Sequence, residues 1–274
     1  MSAAGTSTGA AALRGAISRH AFFGVSALLF AVSAAATIVL CASMSAMGEM
    51  PMPGGWSLSM AWTRMCGQSW LGAVASFVGM WIVMMTAMML PSLTPALWRY
   101  RQAIGRAGVA RLDLLTVLVS AGYFFVWIVL GMAVFALGAG LAALEMQLPA
   151  LARAVPLASG MVVLVAGALQ FSGWKARQLA CCLRAPEHAG ALRRSAGAAW
   201  RHGLRLGLHC GYCCAGLTAV LLVIGVMDLY VMAAITAAIT AERLAPGGER
   251  VARFIGAVIV MAGAFLIVRA VGIG

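Results

Sequence analysis

The sequence predicts an all-α protein, a polytopic transmembrane helical bundle of about six spans. Three observations carry that expectation. The 274 residues are 63% hydrophobic and only 9% charged, whereas a soluble domain carries about 25% charged residues. The charges fall between long apolar runs, and each run reaches the roughly 18–20 residues that a helix needs to cross the hydrocarbon core. Backbone groups in lipid must be bonded within the structure itself, so runs of this length mean helices. The alternating segments of about ten residues that a membrane barrel requires are absent from the sequence.

Residues 1–20 are small and polar, with Arg14, Arg19 and His20. They are expected to form a flexible cytoplasmic tail ahead of a transmembrane domain over residues 21–274. The first span is expected from Ala21 to Ala46. Its apolar stretch exceeds the h-region of a signal peptide, so it is expected to be retained. A loop rich in Met, Pro and Gly follows from Met47 to Ser69. The second span runs from Trp70 to Leu90 and is expected to stop at Pro91, because proline lacks the N–H that continues a helix. A basic loop with Arg99, Arg101, Arg106 and Arg111 leads to a third span, Leu114–Leu144, whose last turns Gly138 and Gly140 are expected to break. Glu145 to Pro149 reads as a short turn, and Val155–Phe171 as the fourth span. The longest polar segment, Ser172–Arg205, carries Lys175, Arg177, Arg184, Arg193, Arg194, Arg201 and Arg205.

The fifth span begins near Leu206 and reaches Met227. Asp228 interrupts the apolar run, which resumes to Ala241, and the whole stretch is too long for one straight crossing at about 1.5 Å per residue. The last span covers Val251–Val271. Arg-rich loops stay on the cytoplasmic side of a bilayer. That rule puts the N-terminus, the Arg99 loop and the Lys175–Arg205 segment inside, and the Met-rich loop and the Glu145 turn outside. With six spans the basic segment holding Arg243, Arg250 and Arg253 falls outside, against the rule. A crossing by Leu229–Ala241 would move it inside and flip the C-terminus.

The net charge of +12 does not make a nucleic-acid binder, because the Arg sits where topology requires it and no Lys/Arg stripe is interleaved with aromatics. Seven cysteines show no spacing of a secreted disulfide framework. No Ser-His-Asp grouping, phosphate loop or carboxylate pair is present in the sequence, so no enzymatic reaction is implied. Sulfur is what stands out, with 18 Met beside the seven Cys.

Cys210, Cys213 and Cys214 follow His209. On a helix, residues spaced i, i+3 and i+4 share a face, which gathers the three thiols with His209 at the edge. Thiolates in that number suit a soft ion such as Cu(I), or zinc with a fourth ligand. Against this, free Cys also behaves as a small buried hydrophobe. Cys181 and Cys182 in the basic segment are a second pair on the same side of the membrane, either completing the site or unrelated to it. Adjacent cysteines rarely close a disulfide without strain. Met84, Met85, Met88 and Met89 form two i, i+4 pairs ahead of Pro91. Thioethers are neutral soft ligands, and Met is also adaptable core filler. The outer loop adds Met44, Met47, Met50, Met52, Met60, Met65 and Cys66, which read as a soft-metal scavenging surface. Asp228 is an acid near a span, read either as functional or as the end of the fifth helix.

Four segments carry a resemblance: Met84–Pro91, Gln170–Pro186, Gly207–Asp228 and the turn Glu242-Arg-Leu-Ala-Pro-Gly. Together they resemble a bacterial family of predicted metal-binding integral membrane proteins, some members of which are labelled copper chaperones. The family often carries Lys-x-x-Cys-Leu-x-x-Cys in the inner loop. Here Lys175 is followed by Gln178, Leu179 and Cys182, so Gln178 stands where the first Cys is expected and Cys181 is its candidate substitute. The resemblance implies a bacterial metal-binding membrane protein, and with the sulfur ligands above the chain is expected to be a multi-pass inner-membrane protein, N-terminus cytoplasmic by the positive-inside rule, that handles copper(I) as chaperone or conduit. Zinc is the alternative metal. The expected partners are the lipid bilayer and a copper-donating or copper-accepting protein or larger membrane complex. Two other readings stand beside it: a membrane thiol–disulfide partner using the same cysteines, and an assembly subunit in which they only pack.

Overall fold

The computed structural model describes residues 4–46, 48, 50–53, 55–64, 67–106, 111–183 and 195–272. Among them are eight helices: α1 (Ala4–Ala46), α2 (Trp70–Arg106), α3 (Leu112–Gln147), α4 (Pro149–Leu169), α5 (Gly173–Leu183), α6 (Ala196–Ile224), α7 (Leu229–Leu244) and α8 (Gly248–Gly272). Six of them, all except α5 and α7, are long and apolar enough to cross a membrane. The all-α bundle expected from composition is therefore the fold. Helix α1 begins at Ala4, and its apolar stretch at Ser18.

Two expectations about helix breakers are corrected. Helix α2 does not stop at Pro91; it runs through Pro91 and Pro95 to Arg106. Prolines are tolerated in apolar helices held by packing against neighbouring helices, and Leu90 and Leu93 beside Pro91 are buried in the core. The Ser92 and Thr94 hydroxyls stay bonded to the helix, Ser92 Oγ donating to the Met89 carbonyl at 3.0 Å and Thr94 Oγ1 to that of Leu90 at 2.8 Å. Gly138 and Gly140 do not break α3 either. At Gly138 a side chain would collide with the Trp62 ring, and at Gly131 with Trp81. These glycines are seats for indoles, and Trp81 Nε1 is fixed by the Trp127 carbonyl at 2.9 Å.

Between α1 and α2 the Met-rich segment folds into an antiparallel hairpin of β1 (Met50–Met52) and β2 (Trp56–Leu58), followed by a short 3-10 turn. Met50 is exposed, but Met52 is buried with Leu58, Ala142 and Ala152. Met47, Met65 and Cys66 lie outside the described residues.

Helix packing follows from small residues. Glycine, lacking a side chain, lets helix backbones approach closely and gain van der Waals contact. Helices α4 and α8 run antiparallel: Gly167 abuts Val260, Gly160 abuts Ile267, and the position a Gly263 Cβ would take is 2.6 Å from the Leu164 nitrogen. Helices α3 and α6 run parallel, with Gly122 against Trp200 and Gly207 against Tyr123 and Val126. After α6, Gly225 adopts φ 156°, a conformation that favours glycine, and the chain reverses. Asp228 caps α7, its carboxylate accepting from Tyr230 N at 2.8 Å and Val231 N at 3.0 Å. That gives the suspected acid a structural job at a helix N-terminus.

Helix α7 then returns alongside α6. Arg243, near its end, reaches Cys210, 14 residues before the end of α6. Its 16 residues span about 24 Å. The turn into α8 thus lies close to the level of Cys210, midway along α6. Farther toward the start of α6 lie the Arg101–Asp113 ion pair and the Phe22–Trp98 contact, so the N-terminal half of α1 and the C-terminal end of α2 gather on that side.

Candidate functional site

Among the described residues, the buried charged side chains, Lys175, Glu242 and Arg243, gather at one junction of α2, α3, α5, α6 and α7. The face of α6 that packs inward carries Cys210, Cys213 and Cys214, all buried. The i, i+3, i+4 spacing that predicts a shared face does produce one. Cys210 Sγ lies 3.9 Å from Cys214 Sγ and 3.9 Å from Met89 Sδ of α2. The Tyr123 hydroxyl donates to Cys210 Sγ at 3.0 Å, and Arg243 Nη1 approaches the same sulfur at 3.0 Å. Arg243 Nη1 also donates to Ser92 Oγ at 3.0 Å. Cys210 is therefore the centre of four contacts from α2, α3, α6 and α7.

A second polar group adjoins it. Lys175 Nζ pairs with Glu242 Oε2 at 2.7 Å, and Gln170 Nε2 donates to Glu242 Oε1 at 2.8 Å. Lys175 Nζ also donates to the Cys213 carbonyl at 2.7 Å. Lys175 is 3% exposed and Glu242 1%. Charges this deep are costly unless partnered, and these are.

The other expected residues fall in different places. Met84, Met85 and Met88 are buried on α2 near Met89. His209 is exposed, turned off the cysteine face. Cys181 and Cys182 lie on the backbone of α5, but their side chains lie outside the described residues. Sequence reasoning passed over Tyr123 and Gln170 and put Lys175, Glu242 and Arg243 in loops. The signal for the last two was available: an adjacent acid and base ending an apolar run are suspect by default in a membrane chain.

Among the described residues, no group of three or more His, Cys, Asp and Glu side chains is arranged to hold a metal ion. The sulfurs that meet at Cys210 are two thiols and a thioether. Two metal–sulfur bonds of about 2.3 Å place their sulfurs about 4 Å apart at a trigonal centre. The 3.9 Å separations fit that edge, and the soft donors suit copper better than hard cations.

The fold and junction define a class: apolar helical bundles that bury soft sulfur donors among partnered charges. The model of a family described as copper chaperone, PpoB2, matches residues 78–266. That match covers well over half of the chain and includes the whole junction, and the chain belongs to this family. No curated protein and no solved structure matches it.

Proposed function

We propose that the protein is a multi-pass chaperone of the bacterial inner membrane that holds Cu(I) as cargo at Cys210, Cys214 and Met89. The observation that carries this reading is the 3.9 Å approach of Cys210 Sγ to both other sulfurs inside a buried junction. Family membership supports a copper-handling role. Cu(I) is favoured over zinc because a thioether contributes little to a borderline divalent ion and much to a soft monovalent one.

Within this reading each group has a task. Cys210 and Cys214 bind as thiolates, losing their protons to the incoming metal. Tyr123 and Arg243 orient the Cys210 sulfur. Cys213 is the reserve thiol on the same face, and Lys175 holds its peptide carbonyl in place. Met85 continues the face of α2 that carries Met89, and Met84 and Met88 line the neighbouring face outside the binding set, together a route along which neutral ligands hand an ion on without trapping it. Cys181 and Cys182 are the exchange thiols toward a copper-accepting protein, with His209 outside the sulfur set. The cytoplasmic end is the one that gathers Arg99, Arg101, Arg201, Arg205, Arg250 and Arg253, in accord with the positive-inside rule. The return of α7 puts Arg250 and Arg253 on that side, with the N-terminus inside and the C-terminus outside.

The test is anaerobic purification in detergent, Cu(I) or Zn(II) loading and metal quantification, beside a Cys210/Cys213/Cys214→Ser variant. The expected result is near-stoichiometric copper in the native protein and none in the variant. Thiols that cycle between oxidised and reduced forms with no metal retained would replace this reading with the thiol–disulfide one.

A further inference from the structure

We infer that Arg243 selects the charge of the cargo, favouring a monovalent soft cation over a divalent one at the Cys210 sulfur. The inference rests on the copper-site reading and deepens it by assigning the source of valence selectivity. Glu242 and Arg243 are consecutive, and both are buried in the last turn of α7. They point to different groups. The Glu242 carboxylate engages Lys175 and Gln170, while the Arg243 guanidinium lies 3.0 Å from Cys210 Sγ and 3.0 Å from Ser92 Oγ. An always-charged group is thus in contact with the sulfur that meets both other donors.

Repulsion between a fixed cation and a bound ion scales with the charge of that ion, and it is screened poorly away from water. A divalent ion at this sulfur meets twice the repulsion from Arg243 that a monovalent ion meets. Two thiolates, one guanidinium and a monovalent cation sum to zero. With a divalent cation the same groups keep a net positive charge in a buried setting, which is unfavourable. Softness alone does not make this distinction, because thiolates also take soft divalent ions. The position of Arg243 does, and Ser92 holds the guanidinium at the sulfur from the opposite helix.

The experiment separates valence from softness by using Ag(I) and Cd(II), both thiophilic and both redox-inert. The full-length protein, reduced and air-free in detergent, is equilibrated with equal excess of the two ions, desalted and assayed for each. The native protein is expected to retain mainly Ag(I). Arg243→Gln is expected to lower the Ag:Cd ratio by about tenfold or more, the scale of removing a unit charge beside a bound ion. Arg243→Lys, which keeps the charge, is expected to restore most of the preference. Ser92→Asp leaves Arg243 in place but sets a carboxylate against it, and is expected to move the ratio the same way as Arg243→Gln. It also decides the matter if Arg243→Gln does not fold. An Ag:Cd ratio unchanged by the charge-altering variants, or a native protein that prefers Cd(II), overturns the inference and leaves the sulfur site standing. A native protein that holds neither ion overturns both.

Discussion

The α4–α8 interface and the junction around Cys210 are both buried inside the same bundle, and they are built by opposite means. The first is made of glycines that let backbones touch, with Gly263 against Leu164 and Gly167 against Val260. Its cohesion rests on close backbone contact at Gly160, Gly167 and Gly263, where a side chain would collide with the facing helix. The second is made of charges, thiols and a thioether, and each polar group named there has a partner within hydrogen-bonding range. Such a junction contributes little net stability, because desolvation offsets most of what the pairs gain. A bundle built only to stand would use the first device throughout. The second is retained where something polar or charged must be accommodated.

The comparison breaks most easily at Glu242. Glu242→Gln leaves the ammonium of Lys175 buried without its anion, and removing one partner of a buried pair costs about 3–5 kcal/mol. The expected outcome is a large fall in the thermal midpoint in detergent. Glu242→Gln combined with Lys175→Met should recover most of it, since the isolated charge is gone. A midpoint unmoved by Glu242→Gln would mean that the pair is hydrated, and the junction would cease to be a buried site.

Gly263→Val probes the other region and comes next in size. The new side chain meets Leu164 backbone, not a movable side-chain tip, so the helices must part, at about 1–3 kcal/mol for overpacking. Copper stoichiometry in the folded fraction should be unchanged, because the interface shares no residue with the sulfur site. Loss of copper with an intact midpoint would show that the two regions are coupled.

The two regions were unequally legible in the sequence. The bundle was plain, because apolar runs and sparse charges leave little else for the chain to be. The face shared by Cys210, Cys213 and Cys214 was legible from helical spacing alone. His209 was not, since the same spacing aligns it with Cys213 yet the helix turns it outward, and which face of a helix packs depends on its neighbours. Tyr123 lies 87 residues from Cys210, and nothing in local pattern joins them. Glu242 and Arg243 read as loop because charged residues end the apolar run at Ala241, whereas α7 continues through both to Leu244. Pro91 is a third case: a proline ends a helix readily in water, but α2 continues through it among packed neighbours, with Leu90 and Leu93 buried.

The smallest effect on stability is expected at Met89, and it is the most informative. Leu and Met have similar volumes, and such swaps cost under about 1.5 kcal/mol. If Met89 is filler, like any apolar side chain that happens to fit beside a thiol, Met89→Leu should keep both the midpoint and the copper affinity. If its sulfur is a ligand, the midpoint should hold while copper affinity in an anaerobic competition with a Cu(I) chelator falls by about tenfold, the loss of a donor worth roughly 1.4 kcal/mol. Met84→Leu, buried on the same helix, is the control that should change neither. The contrast isolates one atom, because the two residues share helix, burial and side-chain type and differ in that Met89 Sδ lies 3.9 Å from Cys210. Retained affinity in Met89→Leu would confine the site to thiols of a single helix. The junction would then need another reason to bring α2 against α6, and Met89 would be explained by packing alone, as at the glycine interface.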